Sequence, residues 1–139
     1  MARNQLERVQ WSLQKAQEYL ESAQDNILAR RYYPAAEDVF RSVENSLTTL
    51  LYDAGITSIE YKDWGGTLTG RLAHQSLVRE TLFRKSIISN MEYQTYLNLV
   101  SDLHHEGYQP GKVFDTDELA RYTEFAENLL IKVRAIISE

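Results

Sequence analysis

At 139 residues the chain is long enough for one domain to bury most of its apolar surface unaided, and it has no cysteine, which excludes disulfides, thiolate metal sites and thiol nucleophiles. Its 15 Lys and Arg against 20 Asp and Glu leave a formal net charge of −5, which argues against a surface that binds nucleic acid by bulk electrostatics. No apolar run approaches the roughly 20 residues that span a bilayer, and the start MARNQLERVQ has no signal-peptide core, so a soluble, cytoplasmic single domain over residues 1–139 with no membrane association is expected.

The first helix is read from Leu6, Val9, Leu13, Ala16, Leu20, Ala23 and Ile27, a 3-4 alternation that gives a long amphipathic helix with a narrow seam. Trp11 falls off that seam, on the side of Arg8, Lys15 and Ser22, so it is expected to be partly exposed: either an interface residue or one covered by a loop. The residue before Pro34 is pushed out of the α region, which ends helix one near Arg31 and makes a tight antiparallel hairpin.

Residues 30–56 then carry their own start and stop signals. Pro34 fits the first turn of a helix and Gly55 fits just past its end. Between them Ala36, Phe40, Val43, Leu47, Leu50 and Ala54 recur every three or four residues, with Val39 and Leu51 widening the stripe. This is the helix the other helices must cover. The segment TSIEYKDWGG lacks periodicity and reads as a loop, with Tyr61 and Trp64 packing back on the bundle or forming a lid.

A third helix is expected over residues 68–83 with Leu68, Leu72, Leu77 and Leu82 as anchors, interrupted by Gly70. Ser89 and Glu92 have capping-box spacing, starting a fourth helix whose inward face is Tyr93, Tyr96, Leu97, Val100 and Leu103 and which stops at Gly107. Asp115 with Glu118 starts a fifth, striped by Leu119, Tyr122, Ala126, Leu129, Val133 and Ile136. No strand pattern is visible. The expected fold is all-α: an up-and-down bundle of four long helices with room for one short extra helix.

Chemistry-bearing residues are sparse. The histidines are His74 and the adjacent pair His104 and His105, which point about 100° apart on a regular helix and cannot share one metal; HExxH, GxSxG and phosphate-loop signatures are absent, so neither a metal nor a cofactor is expected. Residues 71–85 hold Arg71, Arg79, Arg84 and Lys85 against Glu80 alone, either a local phosphate-facing patch or a solvated helix face.

The run KAQEYLESAQDNILARRYYPAAEDVFRSVENSLTTLLYDAGI, with Ala35-Ala36, Val43-Glu44-Asn45-Ser46-Leu47 and Gly55, resembles the first helical hairpin of HEPN domains, the small helical domains of higher eukaryotes and prokaryotes that bind nucleotides. LHHEGYQPG at residues 103–111 looks like the later part of small prokaryotic members. The resemblance implies a homodimer that acts beside a partner, a minimal nucleotidyltransferase as in toxin–antitoxin pairs, or that binds nucleotide or RNA. Some HEPN proteins are metal-independent ribonucleases with Arg, four to six residues, then His. That spacing is missing here: Arg71 is too close to His74, and residues 97–100 hold no Arg ahead of His104 or His105.

The reading that follows is a non-catalytic binding module, with Arg71, Arg79, Arg84, Lys85 and His104 as nucleotide- or RNA-binding candidates and Trp11 and Glu44 at a dimer interface. The alternative is an atypical ribonuclease using His104, His105 and Tyr108. A third reading is an antitoxin-like or structural partner whose acidic surface covers a basic protein.

Overall fold

A computed structural model of the protein describes residues 3–105 and 115–139, with the backbone alone for His104 and His105. It is mostly helical. Helix α1 spans Arg3–Leu28 and α2 spans Tyr32–Asp53; a hairpin of β1 (Glu60–Asp63) and β2 (Gly66–Thr69) follows, then α3 (Gly70–Leu77), α4 (Asn90–Leu99) and α5 (Thr116–Ile137). Helices α3 and α4 each run on into a π-helical segment, Val78–Phe83 and Val100–His105. Tyr108, the expected stop at Gly107 and the turn GYQPGK lie outside the described residues.

Helices α1 and α2 form the expected antiparallel hairpin, fastened at matched heights along its length. Gln5 donates to the Tyr52 and Asp53 carbonyls, Ser12 meets Thr49 at 2.8 Å, Ser42 donates to the Ala16 carbonyl and Ser22 donates to Asp38. Small residues make this approach close: Ser12, Ala16 and Ala23 on α1, and Ala35, Ser42, Ser46 and Thr49 on α2, are all buried. Val9 and Leu20 complete the inner face of α1, whereas Leu6 is 43% exposed, contrary to the stripe. Phe40, Val43, Leu47, Leu50 and Leu51 on α2 lie at the centre of the core; Ala54 is exposed because it has already become the C-cap.

The end of α1 comes three residues earlier than the proline predicts. Arg30 takes a left-handed conformation (φ 60°), its N–H donating to the Ile27 carbonyl and that of Arg31 to Asn26, a Schellman motif with arginine where glycine is usual. Gly55 (φ 100°) closes α2 in the same way, as its sequence position implies.

The two strands correct the reading of residues 57–66 as a loop. They pair antiparallel with Tyr61 opposite Leu68, the two side chains that face inward. Four-residue strands with one inward residue each are too short to show alternation. Trp64, expected to pack back, is fully exposed because it occupies the tip of the hairpin, beside a turn in which Asp63 accepts the Gly65 N–H. Tyr61 does pack against the core.

The third helix is likewise corrected. It starts at Gly70, so Leu68 belongs to β2, and Leu72 is 63% exposed. Its inner face is Ala73, His74, Leu77, Val78 and Leu82. Leu77 and Leu82 stand five residues apart, a spacing that drifts off the face of an α-helix and that π winding brings back into line. Ser89 and Glu92 form the expected capping box of α4, and Asp115 caps α5 by accepting from the Asp117 and Glu118 amides. Of the four long helices expected, α1, α2 and α5 are continuous α-helices, while the fourth changes winding after ten residues.

Candidate functional site

Two polar residues of α2 that are not spent on α1, Glu44 and Thr48, line a cleft against α3. Glu44 and Thr48 are one turn apart on α2, and Arg71 and His74 are three apart on α3, so each pair shares a helix face. With Ile59 and Gly70 at the base of the hairpin they line a cleft of about 290 Å³. Gly70 sits at φ +64°, a conformation open to few other residues, and a Cβ there would meet nothing, so the chain turns into α3 while leaving that wall bare.

The floor of the cleft is a hydrogen-bonded relay across three helices. Thr48 Oγ1 donates to the Glu44 carbonyl and lies 3.0 Å from His74 Nε2; His74 Nδ1 lies 2.9 Å from the Tyr96 hydroxyl. A threonine has one hydroxyl proton, so the assignment that satisfies every group puts the histidine proton on Nε2, donating to Thr48, and leaves Nδ1 to accept from Tyr96. His74 and Tyr96 are both buried. Burial lowers the His74 pKa to about 4, helped by the nearby Arg71 charge and opposed by the Glu44 carbonyl contact, so the ring is neutral at pH 7. Burial also pushes the Tyr96 hydroxyl up, and the charge of Glu44 adds to it.

The mouth of the cleft is charged. Burial raises the Glu44 pKa; Arg41, Arg71 and Lys15 pull it down, Glu37 pushes it up, and burial outweighs the rest. The Arg71 guanidinium lies 5.2 Å from the centre of the Phe40 ring, which holds it against a core side chain. The arrangement thus presents a carboxyl and a guanidinium over a buried, hydrogen-bonded, neutral relay. It can grip a polar ligand, while His74, with both nitrogens committed, is poorly placed to move protons at the surface.

The other residues named from the sequence are dispersed. Arg79 and Arg84 both bind Glu80, at 3.0 and 2.9 Å, and Lys85 is exposed; none of the three lines the cleft. Trp11 is 57% exposed, with Lys15 Nζ 4.3 Å from its ring centre, beside a shallow depression bounded by Asn4, Glu7 and Arg8. The backbone of His104 and His105 ends the second π-helical segment. In that same segment Asp102 accepts from the Tyr122 hydroxyl, which burial and the Asp102 contact push to a higher pKa, at the edge of an open cleft of about 530 Å³. Among the described residues no group of three His, Cys, Asp or Glu side chains could hold a metal ion, and no helix is long and apolar enough to cross a membrane.

Nothing in the sequence marks Thr48, His74 or Tyr96 as site residues. The one local signal is the three-residue spacing of Arg71 and His74; that it faces Glu44 and Thr48 across the bundle depends on where the hairpin sets the start of α3. Compared with known proteins, the chain matches no family model and no curated protein.

Proposed function

We propose that the protein is a HEPN-like, up-and-down helical bundle that works in the cytoplasm as a non-catalytic binding module: a homodimer that takes a nucleotide or an RNA segment in the α2–α3 cleft and acts beside a nucleotidyltransferase-type partner. The observation that carries this reading is that Glu44 and Arg71 line one cleft, each within reach of the other's charge, over a relay whose histidine is held neutral. Arg71 suits a phosphate, because its guanidinium is permanently charged and braced on Phe40. The missing Arg-to-His spacing and the buried state of His74 favour binding over cleavage.

The dimer rests on Trp11. If α1 pairs antiparallel with the same helix of a second copy about a twofold axis at Trp11, positions four residues either side face each other, so Lys15 meets the partner's Glu7 and Glu7 meets the partner's Lys15. Trp11→Glu then converts a dimer to a monomer in light scattering.

Calorimetry with mononucleotides and short RNAs tests the main reading. Binding is expected to weaken as salt rises and to fall on the order of 10-fold or more in Arg71→Ala, as loss of a charge-assisted phosphate contact requires. Absence of binding together with RNA cleavage that disappears in His104→Ala or His105→Ala would replace this reading with a metal-independent ribonuclease.

A further inference from the structure

We propose that Glu44 makes the α2–α3 cleft selective for guanine. This rests on the nucleotide reading above and adds to it which base is taken.

An ionised carboxylate only accepts hydrogen bonds, so its best ligand edge is one with two adjacent N–H donors. Among the four common bases guanine alone offers that pair on its Watson–Crick edge, N1–H beside the exocyclic N2 amino group. Adenine and cytosine set a ring-nitrogen acceptor beside their amino group, and uracil flanks its single N–H with two carbonyl oxygens. An acceptor aimed at a carboxylate is repelled, and the repulsion is stronger where water is scarce. Single-stranded bases are read on this edge by proteins, with the ring face resting on a side chain.

The cleft supplies both elements. Glu44 projects from α2 with its carboxyl partly removed from water, which makes each hydrogen bond to it count for more. Ile59 gives an apolar wall for the face of the ring, and Gly70 leaves the opposite rim without a side chain. Arg71, the second residue of α3, meets the phosphate at the mouth. A volume of about 290 Å³ is at the small end of ligand sites, suited to one base with its phosphate at the rim. Thr48 and His74 are already engaged with one another and fix the floor on which the base rests.

The test is calorimetric titration of the full chain with guanosine, adenosine, cytidine, uridine and inosine monophosphates. Inosine keeps N1–H and lacks the amino group. Guanosine monophosphate is expected to bind tightest, by on the order of 10- to 100-fold over adenosine, cytidine and uridine, with inosine between. Glu44→Gln, which keeps the shape of the side chain and replaces one acceptor by a donor, is expected to collapse the preference while retaining phosphate-driven binding. Arg71→Ala is expected to weaken all five alike. Equal affinity for the five ligands overturns guanine selectivity, and a guanine preference that survives in Glu44→Gln overturns Glu44 as its source; either result leaves the nucleotide reading standing. Binding of none overturns both. Circular dichroism of each variant confirms that the fold is kept.

Discussion

The α1–α2 hairpin and residues 56–103 occupy the same bundle but hold together differently. In the hairpin, alanines and serines let two backbones approach, and hydroxyls satisfy carbonyls along the seam. In the later region, a β-hairpin, a glycine with φ +64° and two π-helical segments steer larger side chains toward α2, and a buried histidine joins the helices. The first arrangement tolerates little change in volume. The second depends on a few polar contacts, and those contacts lie under the cleft where binding is proposed.

That contrast can be broken most severely from the hairpin side. Phe40 is 2% exposed, packs in the centre of the core and carries Arg71 on its ring. Phe40→Ala is expected to lower unfolding free energy by about 3–5 kcal/mol through lost burial and the cavity left behind. A urea titration that shows less than about 1 kcal/mol would mean that α2 is not the centre of the core.

The relay gives the next largest effect. Tyr96→Phe removes the donor to His74 Nδ1 and strands a buried acceptor, at a cost of roughly 1–3 kcal/mol. The same variant is expected to raise the His74 pKa, since a lone pair without a donor is easier to protonate. A histidine NMR titration unchanged in Tyr96→Phe would show that the Tyr96 hydroxyl does not donate to the ring.

Acidification probes the same contact without a mutation. His74 has a folded pKa of about 4 against an ordinary 6.5, so the unfolded chain binds a proton first. Stability from this group is whole above pH 6.5 and is lost as pH falls toward 4, by about 2 kcal/mol between pH 7 and pH 5. Glu44 works in the opposite direction: its raised pKa makes the folded state hold its proton longer, which favours folding on acidification. Glu44 therefore makes the slope between pH 7 and pH 5 shallower than it would otherwise be, and the slope becomes steeper in Glu44→Gln. A slope that persists in His74→Leu would assign it to other groups.

Legibility from sequence divides along the same line. The stripe of α2, the stop at Gly55, the capping box at Ser89 and Glu92 and the cap at Asp115 are local, repeat at helical spacing or use residues with one strong preference, and each is found where its residues imply. The hairpin, the exposure of Leu72 and Trp64 and the meeting of Glu44 with Arg71 depend on how segments far apart in sequence pack. A π segment spaces its apolar residues unlike either regular pattern, so Val78–Phe83 reads as a weak α-helix. His74 carried no motif, and its role follows from burial beside Thr48 and Tyr96.

Helix ends give the finest comparison and the smallest expected effect. α1, α2 and the helix that closes at Ser86 all finish in the same two-bond motif, with Arg30 (φ 60°), Gly55 (φ 100°) and Ser86 (φ 59°) in the left-handed position. A side chain there costs about 1–2 kcal/mol of backbone strain, while glycine frees the unfolded chain and returns part of that. Arg30→Gly and Ser86→Gly are each expected to stabilise the fold by about 0.5–1 kcal/mol, and Gly55→Ala to destabilise it by a similar amount, measured as shifts in urea midpoint. If Arg30→Gly stabilises and Ser86→Gly does not, the serine is compensated locally, and the ends of the two regions obey different rules. Equal gains would show that one rule closes all three helices and that arginine and serine are tolerated because the surrounding core over-determines the turn.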